Sequence, residues 1–80
     1  MENNFFAKYE KYDGCYGVVT SKCGKGIFLD LDNGQQGFAY GFFGLHIGTE
    51  VICTVLRPED ERRRVLVSVD AVSKYASIAA

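Results

Sequence analysis

Apolar and polar residues alternate along most of this chain, and one aromatic residue breaks the alternation. Between residues 26 and 32, every second side chain is apolar: Ile27, Leu29 and Leu31. Because successive side chains of a β-strand point to opposite faces, this segment is predicted to be a strand with one buried face. Phe28 lies on the other face, together with Asp30. Its ring is therefore either packed under another part of the protein or exposed for contact with a partner.

The same alternation predicts five strands in all. They are expected at residues 15–22, 27–32, 35–40, 49–57 and 64–70. Asn33-Gly34, between the second and third strands, is a strong hairpin signal. Pro58 cannot donate a hydrogen bond to a strand ladder, so the charged segment around it is predicted to be a turn.

Five short strands in one small chain predict an all-β fold. A closed barrel is favoured because closure leaves no bare sheet edges. A five-stranded antiparallel OB-fold barrel and an SH-three-like barrel both satisfy the pattern. The barrel domain is expected at residues 13–70, after an N-terminal extension at 1–12. The tail at 71–80 has weak helical propensity, so a short C-terminal helix and a disordered segment are its two expected states.

Composition indicates a single globular domain. The chain has 80 residues, of which 48% are hydrophobic and 24% charged, which is enough for one small core. No apolar run approaches the ~20 residues that a membrane helix needs, and the start lacks the pattern of a signal peptide. Location in the cytoplasm, without contact with a membrane, is the expectation.

The cysteines and the single histidine narrow the chemistry: Cys15, Cys23, Cys53 and His46. Three cysteines without CxxC spacing are expected to be reduced thiols. A metal site would need more ligands at closer spacing. The sequence contains no convincing Ser-His-Asp set, phosphate-binding loop or dinucleotide fingerprint. We therefore expect a protein that is not an enzyme and that has no cofactor.

The formal net charge is −1, from nine Lys and Arg against ten Asp and Glu. This balance argues against strong non-specific binding to nucleic acid, which usually requires a net basic surface. It is compatible with a local basic patch. The run Arg62–Arg64 is either a solvated turn, balanced by the three acidic residues before it, or part of such a patch.

Five short motifs, each weak alone, occur in a defined order. They are Gly17-Val18-Val19, GIFLDL at 26–31, NGQQG at 33–37, GTEV at 48–51 and EDERRRVLVSV at 59–69. In this order and spacing the chain resembles the S-one RNA-binding domain family, an OB-fold family, from Gly17 to Ser68. The resemblance implies an OB-fold barrel that binds single-stranded RNA.

The resemblance also implies an RNA-binding face on the second and third strands. By position, the second aromatic of the family is Phe28, its strand-three histidine is Tyr40, and its turn acid and arginine are Asp60 and Arg64. An exposed ring offers a flat apolar surface on which a base can stack, worth about 1–3 kcal/mol. Nearby cations can contact the sugar-phosphate path. The predicted RNA-binding residues are Lys22, Lys25, Phe28, Phe38, Tyr40, Asp60, Arg62 and Arg64; the pattern does not distinguish RNA from single-stranded DNA.

The chain departs from the family in three places. Lys25 stands where the family has its first aromatic residue. Lys22 occupies an apolar position late in the first strand, so a β-bulge is expected there, beside Cys23. Only residues 41–47 connect the third and fourth strands, where the family has a longer helical turn.

The short connection leaves a second function open. It contains Phe42 and Phe43, which are expected to plug the end of the barrel because so small a core needs its apolar residues. If they are exposed instead, they form an apolar patch that can bind another protein. RNA binding is favoured; the alternative is an OB-fold protein-protein interaction module that has lost its affinity for nucleic acid.

Overall fold

The computed structural model describes residues 7–76, and in this range the protein consists of strands, turns and loops without a helix. The strands are β1 (Gly14–Lys22), β2 (Gly26–Leu31), β3 (Gln36–Tyr40), β4 (Glu50–Arg57) and β5 (Arg64–Lys74). Their bounds lie within one residue of the predicted ones, except that β5 ends later. Between residues 7 and 76 there is accordingly no helix that could cross a membrane.

The five strands form a closed barrel in the order β1-β2-β3-β5-β4. Four neighbouring pairs are antiparallel, whereas β3 and β5 run parallel. One parallel pair is unavoidable, because strand direction cannot alternate around a ring with an odd number of strands. The predicted all-β, five-stranded OB-type barrel is confirmed, with this one parallel pair as a refinement of the antiparallel description.

The core consists of the inward-facing residues of the alternating pattern. Its buried members include Val19 of β1, Ile27, Leu29 and Leu31 of β2, Ala39 of β3, Val51, Cys53 and Val55 of β4, and Val65 and Val67 of β5. Fully burying one such aliphatic side chain stabilises the fold by about 1.5–3 kcal/mol. Val69 of β5 is only partly buried against this core. The outward-facing residues are left for the surface and for any site on it.

Two of the three free thiols are part of this core. Cys15 and Cys53 are buried and stand opposite each other on β1 and β4. The hydrogen bond with Cys15, together with burial, raises the pKa of the Cys53 thiol, so this side chain remains protonated and packs as a small apolar group. Cys23, in contrast, is exposed.

The end of β5 corrects the expectation for the tail. Val72 pairs with Val51 and Lys74 pairs with Glu50, so residues 71–74 extend the ladder between β4 and β5. Backbone pairing and the partial burial of Val72 outweigh a weak local preference for helix. The expected C-terminal helix is therefore wrong for residues 71–76, and residues 77–80 lie outside the described range.

The hairpin predicted at Asn33-Gly34 is confirmed. The backbone N–H of Leu31 donates to the carbonyl oxygen of Gln35 at 2.9 Å, and that of Gly34 donates to Leu31 at 3.0 Å. Gly34 has a φ of 92°, which residues with a Cβ rarely adopt. This turn directs β2 into β3 and so sets the two strands of the predicted RNA-binding face side by side.

The β-bulge of β1 lies earlier than expected. The register between β1 and β2 shifts between Val19 and Ser21, so Thr20 is the extra residue, rather than a residue beside Cys23. The Thr20 hydroxyl donates to the carbonyl oxygen of Phe28 at 3.3 Å. Beyond this irregularity the last residues of β1 are exposed, which brings Lys22 to the surface.

Candidate nucleic-acid interface

A groove of about 260 Å³ lies on the outside of the barrel, over β2, β3 and the start of β5. Seven of the eight predicted RNA-binding residues line it: Lys25, Phe28, Phe38, Tyr40, Asp60, Arg62 and Arg64. Cys23, Arg57 and Leu66 complete the lining. These distant parts of the chain meet because β5 pairs with β3 and carries the loop at 58–63 to the edge of the groove.

The floor of the groove is a row of outward-facing side chains that crosses three strands. Phe28 pairs with Phe38, and Phe38 pairs with Leu66. The ring centroids of Phe28 and Phe38 are 5.0 Å apart at an interplanar angle of 59°. The ring centroids of Tyr40 and Phe38 are also 5.0 Å apart, and their ring planes are nearly perpendicular, at 88°. These contacts hold the three rings against one another and leave Tyr40 61% exposed.

Phe28, the aromatic residue on the polar face of β2, packs against other residues that line the groove. Phe28 is half-buried between the ring of Phe38 and the guanidinium of Arg64, whose Cζ lies 4.9 Å from the centroid of Phe28. A cation–π contact of this kind contributes about 0.5–1 kcal/mol at an exposed site. The Nε of Arg64 is buried in this contact and has no hydrogen-bond partner among residues 7–76.

Asp60 shapes the loop that carries the arginines. Its Oδ1 accepts hydrogen bonds from the backbone N–H groups of Arg62, at 2.9 Å, and Arg64, at 3.2 Å. Its own backbone carbonyl accepts from the N–H of Arg63, at 2.9 Å. Together these bonds close a tight turn in which Arg63 has a φ of 60°. Asp60 therefore shapes the groove indirectly, because it holds the backbone of Arg62 and Arg64 in place.

This role of Asp60 predicts a pH dependence of the turn. Hydrogen bonds from the backbone of Arg64 and then of Arg62 lower the pKa of the Asp60 carboxyl. A carboxyl with a lower pKa in the folded state stabilises that state above its unfolded pKa of about 3.9, and this contribution is lost as pH falls through the folded value. In an NMR titration, we expect the amide shifts of Arg62 and Arg64 to change together, with a midpoint below about 3.9.

The matched control for this titration is Asp60→Asn, which keeps an acceptor oxygen but cannot titrate. It should remove the common inflection from both amides while the turn stays formed. A wild-type midpoint at or above the ordinary aspartate value, or an inflection that persists in the variant, would contradict the assignment of these hydrogen bonds to Asp60.

Positive charge dominates the groove although the whole chain is nearly neutral. Four basic side chains line it, Lys25, Arg57, Arg62 and Arg64, against the single carboxylate of Asp60. No ion pair joins that carboxylate to any of the four in the described part of the chain, although the charges of Arg57 and Arg62 help to lower its pKa. The basic side chains therefore outnumber the carboxylate in the lining that they share with the aromatic rings.

Lys22 is the predicted RNA-binding residue that does not line the groove. Its Nζ donates to the backbone carbonyl oxygen of Phe43 at 2.9 Å, so it holds the connection between β3 and β4. Conversely, the predictions missed Arg57 and Leu66. Leu66 carries the same signal as Phe28, a large apolar residue on the outward phase of its strand. No local pattern distinguishes Arg57, which ends β4.

The connection at 41–48 corrects another expectation. Phe42 and Phe43 are 42% and 52% exposed, so they do not plug the barrel. Leu45 packs against the core from this connection instead. One medium-sized side chain thus reaches the core from the short loop, and both aromatic rings remain outside.

Among known proteins, the chain is similar to two solved structures. No protein-family model matches the chain, and no curated protein matches it significantly. The solution structure of GSP13 from Bacillus subtilis is 29% identical, with a TM-score of 0.65 over 78% of this chain and 56% of GSP13. An uncharacterized protein, MJ1198 from Methanocaldococcus jannaschii, is 21% identical, with a TM-score of 0.65 over 91% of this chain and 100% of that one. The chain thus spans little more than half the length of GSP13.

The barrel topology and these two similarities define the class of fold: a five-stranded barrel of the S-one/OB type. OB folds typically bind oligonucleotides and oligosaccharides on the face of the second and third strands. In this protein the same face carries the groove with its aromatic rings and basic side chains.

Proposed function

We propose that this protein is a small, non-catalytic module that binds single-stranded RNA in the groove over β2, β3 and the loop at 58–63. One observation carries the proposal: a single groove combines three mutually packed aromatic rings with four basic side chains. The rings offer stacking surfaces to bases, and the cations suit the phosphate path. The S-one resemblance of the sequence points to the same face.

Each ring of the groove has a distinct part in this proposal. Tyr40 is the most exposed of the three and offers its ring to a base from the open end of the groove. Phe28 offers the partly exposed remainder of its ring, and the positive charge of the Arg64 guanidinium beside it can attract a phosphate. Phe38 lies between them and supports both.

The charge distribution favours weak, salt-sensitive binding. Four basic side chains line the groove, and the rest of the chain offsets their charge to a net −1. Affinity should therefore fall with salt, but with the modest slope that a few phosphate contacts produce. The free thiols of the chain suit the cytoplasm, where cysteines are kept reduced.

An amide-shift NMR titration with a short oligouridylate, at low and at moderate salt, tests the proposal. We expect salt-sensitive shifts at the groove residues Phe28, Phe38, Tyr40, Arg62 and Arg64. Tyr16 and Ile52, partners on the outer faces of β1 and β4, provide the internal control and should not move. A deoxyuridine oligomer of equal length shows whether the 2′-hydroxyl contributes. Unchanged spectra at low salt would sink the RNA-binding proposal.

A second candidate function, docking of another protein, is favoured by one specific observation. Phe42, Phe43 and Ile47 are all exposed on the connection at 41–48. Exposed apolar groups that lie together commonly mark interaction sites. The basic surroundings of the groove favour the first candidate, because an interaction module without nucleic-acid affinity has no need to gather cations around its rings.

A further inference from the structure

We infer that single-stranded RNA held in the groove continues past Tyr40 onto Phe42 and Phe43, which act as additional stacking surfaces and lengthen the binding site. This inference rests on the proposed function, since it extends the same RNA path. It assigns a role to two exposed rings that lie outside the groove itself.

The connection at 41–48 begins at the end of the groove. Tyr40 is the last residue of β3, and Phe42 and Phe43 follow it by two and three residues. Chain geometry therefore keeps the Cα atom of Phe43 within about 11 Å of that of Tyr40. The N–H of Gly41 donates to the carbonyl oxygen of Lys25 at 3.0 Å, and Lys25 lines the groove. In the sequence, Phe42 and Phe43 thus come immediately after Tyr40, the last aromatic residue of the groove.

The backbone that carries the rings is firmly anchored. Lys22 donates to the carbonyl of Phe43 at 2.9 Å, and the N–H of Leu45 donates to the carbonyl of Phe42 at 3.1 Å. The N–H of Gly48 donates to Val19 at 2.8 Å, and Leu45 packs against the core. Because the loop is already ordered, little conformational freedom is lost when a ligand contacts the rings.

Phe42 occupies a backbone conformation that its side chain does not favour. Its φ is 59°, in the left-handed region where residues with a Cβ are uncommon. Glycine would adopt this conformation without the steric cost, as Gly41 does beside it at a φ of 82°. Strained residues of this kind cluster at ligand-binding sites. Phe42 is thus both strained and 42% exposed, which agrees with a role in contacting a ligand.

The charges around the loop favour a nucleic acid over a protein partner. Residues 41–48 contain no carboxylate, and the cation that holds the loop is Lys22. The next basic residue, Lys25, bonds to the start of the loop through its backbone and lines the groove with its side chain. A surface of aromatic and basic groups that is continuous with the groove suits a polyanion whose bases can stack.

Oligonucleotide length separates this inference from the proposed function. Fluorescence anisotropy with labelled oligouridylates of four and eight nucleotides brackets the smaller site sizes of OB folds. For Phe43→Ala, we expect about a tenfold loss of affinity for the longer oligomer and less than about a twofold loss for the shorter one, since only the longer RNA reaches the loop. Phe42→Ala should behave in the same way.

Two further substitutions at Phe43 and one control identify stacking as the cause. Phe43→Tyr keeps a flat ring and should retain wild-type affinity, whereas Phe43→Leu keeps an apolar group without a flat face and should resemble Phe43→Ala. The matched control is Ile47→Ala, which removes an apolar side chain that is 59% exposed from the same loop and should bind both oligomers normally.

Three outcomes would overturn the inference. Loop variants that bind both oligomers like the wild type would leave the groove intact and assign the rings to a protein partner. An equal loss for both lengths would mean that the rings act within the short site and do not lengthen it. Wild-type protein that binds neither oligomer would refute the proposed function, and the inference with it.

Discussion

Replacing Phe28 with alanine is expected to weaken RNA binding by at least about tenfold, or about 1.4 kcal/mol. The substitution removes the stacking surface at the centre of the groove. It also removes the ring that supports the Arg64 guanidinium at 4.9 Å, so the group proposed to contact phosphate loses its fixed position. Phe38 loses its neighbour at 5.0 Å as well. Anisotropy with a labelled oligouridylate at low salt measures the change.

Two control variants make the Phe28 result specific. Tyr16→Ala removes an aromatic side chain that is 48% exposed on β1, outside the groove, and should leave affinity unchanged. Phe28→Tyr keeps the ring and should keep most of the affinity. Thermal unfolding confirms that each variant is folded. A folded Phe28→Ala protein with wild-type affinity would contradict the role of this ring in RNA binding.

The largest effect on stability is expected for Gly26→Ala. A Cβ at position 26 would lie 2.0 Å from the carbonyl oxygen of Ala39 and 2.9 Å from the Cα of Tyr40. Both are backbone atoms of β3, the strand with which Gly26 pairs, so they cannot move without opening the ladder. We expect the free energy of unfolding to fall by about 3 kcal/mol or more, at the upper end for overpacking. Urea denaturation monitored by tyrosine fluorescence or circular dichroism measures it.

Gly24→Ala is the matched control for this substitution. It lies in the same turn, and a Cβ there would have no atom within 4 Å. Its unfolding free energy should stay within about 0.5 kcal/mol of the wild type. Equal stability of the two variants would show that β2 and β3 do not approach each other as closely at Gly26 as the structure has them.

Local alternation was enough to predict the barrel strands. Each strand buries one face, so its apolar residues occupy alternate positions, and a period of two is visible without knowledge of the neighbours. The same rule singled out Phe28, because a large apolar residue on the outward phase needs a separate explanation. Leu66 on β5 obeys this rule too and is found in the groove.

Predictions failed where the outcome depended on contacts between distant residues. Lys22 was expected beside the other binding residues, but its side chain bonds to Phe43 outside the groove, so its role in RNA binding stays a prediction. Phe42 and Phe43 were expected to plug the barrel, yet both are exposed, and Leu45 packs against the core from the same connection. Residues 71–74 have weak helical propensity but pair with β4. For residues 71–74, pairing with β4 outweighed a helix preference of less than about 1 kcal/mol per residue.

By itself, the sequence determined where the five strands lie up to residue 70, where the chain turns, and which side chains of β2 and β3 point outward, because these properties depend on neighbours within a few positions. Only the tertiary structure decided which outward residues share one surface. The parallel pairing of β3 with β5 brings Phe38 beside Leu66, almost thirty residues away in the chain, and places Arg64 over Phe28. Closing an odd number of strands into a barrel requires a parallel pair, and the strand order makes it β3 with β5. No local stretch of sequence expresses that order.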